Sequence, residues 1–431
     1  MTTVTKTRAR EVLDSRGHPT LRVEVCCADG SLGSAIVPAG ASTGKAEARE
    51  LRDGDASRYD GLGVLRAVAN VRDILAPAVA GMDPVDQFAI DARLIALDGT
   101  PNKSKLGGNA LLGVSLAAAH AAAAAKRVPL YRHLHELWRA IHQAQGDSPP
   151  DDCRIPLPMT NMISGGLHAG GNLDFQDFLI MPIGAPSYAV GLEWIVRVAR
   201  RLSKLLTEAG YEGQLVGDEG GYGPRLSSNR EAAEFVVRAI RAAGLTPKSE
   251  VTIALDVASS HFFDGHHYRL QATGGRRLTS AEMIDELESM VADFPITSIE
   301  DGLAEDDWDG WCELTSRLGH RAKLVGDDLF ATNPARLQRG IGAGAGNSVL
   351  IKVNQIGTLT ETMETMRLAR GAGYTRVVSA RSGETEDTTI ADLAVGTSAE
   401  LIKIGSIQRS ERLAKYNRLL MIEEELLCPF P

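Results

Sequence analysis

The sequence predicts an α/β protein in which an N-terminal α+β unit precedes a (β/α) barrel. Two observations carry this expectation. A polar, proline-bearing break falls about a third of the way along the chain, and behind it a short apolar run, a charged residue and a helical stretch recur many times. At 431 residues the chain is too long for one small core, so two domains are the natural expectation.

The first elements lie in TLRVEVCCADG and SLGSAIVP, whose alternation reads as strands joined by a turn at Asp29 and Gly30. Helical pattern follows from about Leu62 to His142. Its most apolar part, Ala110 to Ala125, is mostly alanine but includes Ser115 and His120, so a tightly packed buried helix is expected rather than a membrane span. The run Gln143 to Asp152, QAQGDSPPDD, lacks apolar periodicity and reads as a linker. It divides the chain into an N-terminal unit at 1–142 and a barrel unit at 153–431.

Behind the linker, the runs QLVGDE, VTIALD, ITSIED, KLVGDD, SVLIK, RVVSAR and ELIK end near Glu219, Asp256, Glu300, Asp327, Lys352, Arg381 and Lys403. From Asp256 onward, each interval holds one strand, one helix and two loops. Continuous apolar strands alternating with helices indicate a parallel sheet. Closure into a barrel would bring every charged end to one mouth, whereas a doubly wound open sheet, the alternative, would spread them. No GxGxxG follows a first strand, which leaves dinucleotide binding unsupported. GIGAGAGNS, from Gly340 to Ser348, precedes a strand and reads as a loop.

Apolar residues make up 44% and charged residues 23%, ordinary globular usage. A net charge of -9 argues against the broad basic surface that nucleic acid requires, and a small substrate is expected. MTTVTKTRAREVLDSRG lacks the apolar core of a signal peptide, so the expected location is cytoplasmic, away from membranes. Cys26, Cys27, Cys153, Cys312 and Cys428 show no CxxC spacing and read as reduced structural thiols.

A single strand-end carboxylate commonly pairs with a lysine or caps the next helix. Three of them, Asp256, Glu300 and Asp327, would repel one another at a shared mouth unless a cation joined them, and hard oxygen ligands point to Mg²⁺. Lys352 and Lys403 would share that mouth, where burial and like charge lower a lysine toward use as a base. Arg381 and Ser382, in SARSGETED, suit a phosphate or carboxylate. PAGASTGKAE and GGLHAGG have the small-residue composition of loops that can close over a ligand, carrying Ser42 and His168, although composition alone fits ordinary turns equally well.

Taken together, EVLDSRGHPT, PAGASTGKAEARELRDGD, LDGTPNKSKLGGNALLGVSLA, GGLHAGG, VGDEGG, LDVASS, SIEDGLAEDDWDGW, GDDLFATNP, IKVNQIGTLTET, RSGETEDTTIADLAVG and RSERLAKYNRLL resemble the enolase family over nearly the whole chain. The resemblance implies an N-terminal α+β domain capping an enolase-type modified (β/α)₈ barrel, with two Mg²⁺ ions at its mouth. It implies Asp256, Glu300 and Asp327 as ligands of the first ion and Ser42 of the second. Lys352 would be the base that takes the α-proton, and Lys403 the partner of the substrate carboxylate and enolate. Glu219 would protonate the leaving hydroxyl, His168 would lie near the phosphate, Arg381 with Ser382 would clamp it, and Gln176 and Asp177 would face the substrate.

Three departures from the family pattern stand out. Ala380 replaces a histidine, Asp177 replaces a glutamate, and IKIGSIQRSER replaces a smaller proline-containing turn after Lys403. The first two fall where the family handles the departing C3 hydroxyl, so enlarged space beside Glu219 is expected. Enolase-family dimers pair a glutamate near the first strand with an arginine near the C-terminus. Arg22 and Met421 hold those positions here, and a homo-oligomer with an altered interface is expected. Three functional readings follow. The favoured one is a Mg²⁺-dependent lyase or synthase that forms an enolpyruvate ester from a 2-phosphoglycerate-like substrate with a larger or altered phosphorus group, in phosphonate natural-product biosynthesis. The others are a housekeeping phosphopyruvate hydratase and a non-catalytic binding protein on the same fold.

Overall fold

The computed structural model describes residues 2–40, 44–148, 152–272 and 274–428. Strands β1 (Val4–Leu13), β2 (Pro19–Cys27) and β3 (Leu32–Ile36) form an antiparallel sheet in that order. Gly30 adopts φ +90° in the β2–β3 turn, a conformation that side chains resist. Alternation along β2 buries Leu21, Val23 and Val25, and the alanine-rich helix Gly108–Lys126 packs on this sheet. That helix is long and apolar enough to cross a membrane, but it is buried inside the protein. Small residues permit the close approach: a Cβ at Gly33 would lie 2.1 Å from the Ala117 carbonyl oxygen.

The second sheet contains β4 (Leu157–Ser164), β5 (Asp177–Met181) and β6 (Thr252–Asp256). A small ribbon, β7 (Tyr268–Leu270) and β8 (Arg276–Leu278), interrupts the series before β9 (Ile296–Glu300), β10 (Lys323–Gly326), β11 (Ser348–Ile351), β12 (Thr375–Ser379) and β13 (Leu401–Gly405). Leaving out the ribbon, these eight strands close into a barrel in chain order, with β13 pairing back onto β4. The open-sheet alternative is thereby excluded. Strand β5 runs antiparallel to both neighbours, and the remaining pairs are parallel.

Two expectations need correction. QLVGDE is not a barrel strand: Val216 makes only an isolated bridge with Tyr222, Leu215 is two-thirds exposed, and Glu219 sits in a turn. The physical reason is that β4, β5 and β6 already pair with one another and close against β13 and β9, which leaves QLVGDE no place in the barrel. GIGAGAGNS is only partly a loop, since its first residues end the helix Pro334–Ala343, and Gly344 and Gly346 at φ +71° and +75° turn the chain into β11.

The N-terminal unit reaches the mouth of the barrel. Ala39 and Gly383 exchange backbone hydrogen bonds of 2.9 Å. A Cβ at Gly383 would fall 2.3 Å from Asp14 Oδ2 and 2.7 Å from the Ala39 carbonyl, so only glycine allows this approach. All five cysteines are free.

Candidate active site

An apolar layer fills the barrel below the mouth, with Met159, Leu179, Ala254, Val325, Leu350, Val377 and Leu401 contributed by seven strands. On the eighth strand, β9, the fully buried Ser298 is in register with Ala254 and Lys323. Residues two apart on a strand share a face. One step toward the mouth therefore brings Asn161, Asp177, Asp256, Glu300, Asp327, Lys352, Ser379 and Lys403 into a second, polar ring. Every strand supplies one member, with Asp327 and Lys352 just beyond the ends of β10 and β11. The expected strand-end residues converge because the same alternation that buries the apolar layer repeats around the barrel.

Within this ring the charges are paired. Lys403 Nζ bridges Asp256 Oδ2 at 2.7 Å and Glu300 Oε2 at 2.8 Å. Lys352 Nζ pairs with Asp327 Oδ2, whose other oxygen accepts a 2.8 Å hydrogen bond from Gln355 Nε2. Burial works against both ammonium groups, but Asp327 raises Lys352, and Asp256 with Glu300 raises Lys403 well above its usual value. Negative charge remains in excess. Asp301 and Asp328 crowd beside Asp327, the three offering carboxylate oxygens within 4.8 Å of one another. Burial and then the charge of Asp256 push the Glu300 carboxyl up to about 8, and burial with Asp327 pushes Asp328 up to about 7.

This donor set fits a hard divalent cation: oxygen ligands, buried, and more carboxylates than lysines. Asp256, Glu300 and Asp327 are brought to one mouth but stand with lysines between them. Asp301 is engaged as a clamp, accepting from the Asp327 and Asp328 amides at 2.9 Å each. Ser42 lies outside the described residues.

A second group surrounds the carbonyl ends of β12 and β13. Arg381 donates to Glu47 Oε2 at 3.0 Å and Asn354 Oδ1 at 2.7 Å, and Ser382 Oγ accepts from Arg16 at 3.3 Å. The buried Arg412 fixes their backbone by donating to the Arg381 and Ser382 carbonyls at 2.7 Å. Ala380 lines the cavity beside them. Beyond Lys403 the IGSIQ turn packs on the turn that carries Glu219: the Ser406 amide donates to the Glu219 carbonyl at 2.8 Å, where Gly405 at φ +106° leaves room.

The third group is His168, Asp177 and Glu219. His168 Nδ1 lies 2.9 Å from Asp177 Oδ2, and its Nε2 lies 3.9 Å from Glu219 Oε1. Asn161 and Ser164 both donate to Asp177 Oδ1. Asp177 is fully buried behind His168 and does not line the cavity, whereas His168, Glu219 and Gln176 do. Gln176 donates to Asp256 Oδ2 at 3.1 Å.

Burial alone would depress the His168 imidazole, but Asp177 and Glu219 carry it up to about 9. Burial also pushes Asp177 upward, against this pairing. The charge pair prevails because Asn161 and Ser164 hydrogen-bond the ionised carboxylate. Burial would raise Glu219 too, yet His168, Arg412, Lys403 and Lys352 outweigh it and hold its carboxyl below the usual range.

Residues 4–134 match the family model described as Enolase, N-terminal domain, and residues 152–428 match Enolase, C-terminal TIM barrel domain. The chain belongs to the enolase family. Its architecture is that of an enolase-family lyase, with the small N-terminal unit set over the mouth of an eight-stranded barrel.

Several residues of this enolase-family site escaped the sequence reading. Asn161 and Ser164 lie on β4, a strand that begins with Leu157-Pro158 and ends without a charge. Glu47 lies inside PAGASTGKAE but declares itself only through Arg381. His261, on the turn after β6, lines the cavity; its one sequence signal is its position five residues beyond Asp256.

Proposed function

We propose that this protein abstracts the proton next to the carboxylate of a 2-phosphoglycerate-like substrate and forms an enolpyruvate ester. We further propose that it is specialised, in the manner of carboxyphosphonoenolpyruvate synthase, for a substrate with an altered phosphorus group. The observation that carries the reading is the polar ring itself, in which the buried Lys403, the part-buried Lys352 and an excess of buried carboxylates face one cavity beside Arg381 and Ser382.

In this reading Lys352 takes the α-proton. Asp327 holds it as an ammonium in the resting site, so it becomes a base only when Asp327 is engaged elsewhere. Lys403 receives the substrate carboxylate and the charge that develops on it. Arg381 and Ser382 hold the phosphorus group. Asp256, Glu300 and Asp327, with Ser42, would hold Mg²⁺, two ions by family resemblance. When bound, Mg²⁺ supplies positive charge that stabilises an enolate. Specialisation is supported by Ala380, which presents only a methyl group to the cavity. A soluble cytoplasmic homo-oligomer acting on a small molecule, apart from nucleic acid and membranes, completes the proposal.

A mass-spectrometric turnover assay tests it by offering 2-phosphoglycerate alone and together with activated phosphonates. Slow dehydration of 2-phosphoglycerate alone and faster conversion in the mixture are expected. Turnover of 2-phosphoglycerate alone at roughly 10 to 10³ s⁻¹, as in dedicated enzymes, would leave a housekeeping phosphopyruvate hydratase.

A further inference from the structure

Resting on that reading, with Glu219 as the group that protonates the departing hydroxyl, we propose that Arg409 is a positioning residue that holds Glu219 in place for that step. Glu219 lines the cavity, but its carboxylate makes no hydrogen bond among the described residues, and His168 Nε2 lies 3.9 Å from it. Its place is therefore set through its backbone. That backbone is a turn over residues 217–220, closed by the Gly220 amide donating to the Gly217 carbonyl at 3.1 Å. The base of the turn is tied to β4, where Tyr222 exchanges hydrogen bonds with Met162 and Ser164 at 2.9 and 2.7 Å, and the Asp218 amide donates to the His168 carbonyl at 3.2 Å. Its tip is held from residues 406–409, within the stretch after Lys403 that departs from the family pattern. The Ser406 amide donates to the Glu219 carbonyl at 2.8 Å, and Arg409 Nη2 donates to the Gly217 carbonyl at 3.1 Å. A Cβ at Gly220 would lie 3.2 Å from the Gln408 carbonyl oxygen, so the two segments are closely packed.

Arg409 holds this position in a strained backbone. Its φ of +69° with ψ 135° is a conformation natural to glycine and disfavoured for any side chain. The residue is exposed, and its side chain makes no other hydrogen bond among the described residues. It stands just before the helix Ser410–Leu427, which its side chain does not cap. Glycine would suit the backbone better and leave the start of the helix intact. What glycine cannot supply is the guanidinium on the Gly217 carbonyl. Strain kept where a simpler residue would relieve it points to a functional constraint, and the bond to the Glu219 turn is the contact that accounts for it.

In the step served, Lys352 has removed the α-proton, leaving an electron pair at the α-carbon. That pair forms the C=C bond to the adjacent carbon as the C–O bond there breaks. The departing oxygen keeps the bonding pair, takes the proton of the Glu219 carboxyl and leaves as water. Glu219 remains as a carboxylate and regains a proton from solvent. A carboxyl displaced by about 1 Å from the departing oxygen transfers its proton far more slowly.

The test is a double-mutant cycle on the full chain with Mg²⁺ and 2-phosphoglycerate in D₂O, reading α-proton exchange by NMR alongside enolpyruvate formation. Arg409→Gly should lower kcat for enolpyruvate formation by about 10- to 10²-fold with KM little changed, while exchange continues. Its unfolding midpoint should stay level or rise, because the strain is gone. Arg409→Lys keeps a donor and should recover part of the lost kcat. In a Glu219→Gln background, Arg409→Gly should change kcat by less than about twofold, since the group it positions no longer acts. An equal cost of Arg409→Gly in both backgrounds would overturn the inference. So would wild-type kcat in Arg409→Gly, a joint loss of exchange and product, or a lowered midpoint in that variant, which would make Arg409 a structural residue only. Glu219→Gln forming product at the wild-type rate, or a wild-type protein that exchanges no α-proton, would instead bring down the reading on which the inference rests.

Discussion

Ala380 and Asp177 depart together from the family pattern, yet the structure gives them different work. Ala380 borders the cavity, and the space it leaves is open to substrate. Asp177 leaves no such space, because its carboxylate is held behind His168 by Asn161 and Ser164. The sequence shows both substitutions but not this distinction, which depends on a strand pairing between β4 and β5 that carries no charge signature. Asp177→Glu is expected to overpack a fully buried position and cost about 1–3 kcal/mol, read as a lowered unfolding midpoint. Ala380→His should lower the midpoint less and act mainly on substrate, since its ring projects into the cavity. The two changes together should not improve the native reaction. A double variant that turns over 2-phosphoglycerate faster than wild type would indicate a damaged hydratase instead.

At the scale of elements, the strands that end in a charge were legible because one alternation serves both purposes: Leu350 packs in the apolar layer and Lys352 faces the mouth. The same rule misassigned QLVGDE, whose Glu219 reaches the site through a turn pinned by Ser406. Period and composition cannot distinguish a strand from a turn that borrows its support from elsewhere. A helix outside the site shows a further feature invisible in the sequence. On Leu130–Ala144, His133 is fully buried and neither ring nitrogen has a hydrogen-bond partner among the described residues. Burial, with Lys126 and His120 nearby, pushes its imidazole down to about 4 from 6.5. Between those values the unfolded chain binds a proton that the folded protein refuses, so stability falls as pH falls through this window, by about 3 kcal/mol in total. His133→Phe removes the titration and the unpaired nitrogens, and should flatten this acid limb in denaturant melts. An unchanged slope between pH 6.5 and 4 in the variant would show that other groups set it.

Over the whole molecule, the N-terminal unit completes the mouth through Ala39, Glu47 and Arg16. The crowding of charge beneath it makes cation binding a proton-linked event. With Glu300 near 8 and Asp328 near 7, the cation-free site holds protons at neutral pH that a divalent ion must expel. Mg²⁺ should therefore release protons at pH 7 and bind more tightly as pH rises toward 8, seen by titration calorimetry in buffers of different ionisation enthalpy. Heats independent of buffer would contradict this picture of the site. Arg22 and Met421, where family dimers carry an ion pair, both have exposed side chains, with Arg22 near Ser34 and Glu24. A mass in solution above that of the monomer is expected. We propose that this ring of residues makes an enolate with Lys352 as the base. Its most direct test is exchange of the α-proton of 2-phosphoglycerate with solvent deuterium, followed by NMR in Mg²⁺ for wild type and Lys352→Ala. Exchange by wild type and none by the folded variant are expected; no exchange by wild type, or equal exchange by both, would contradict a role for Lys352 as the base.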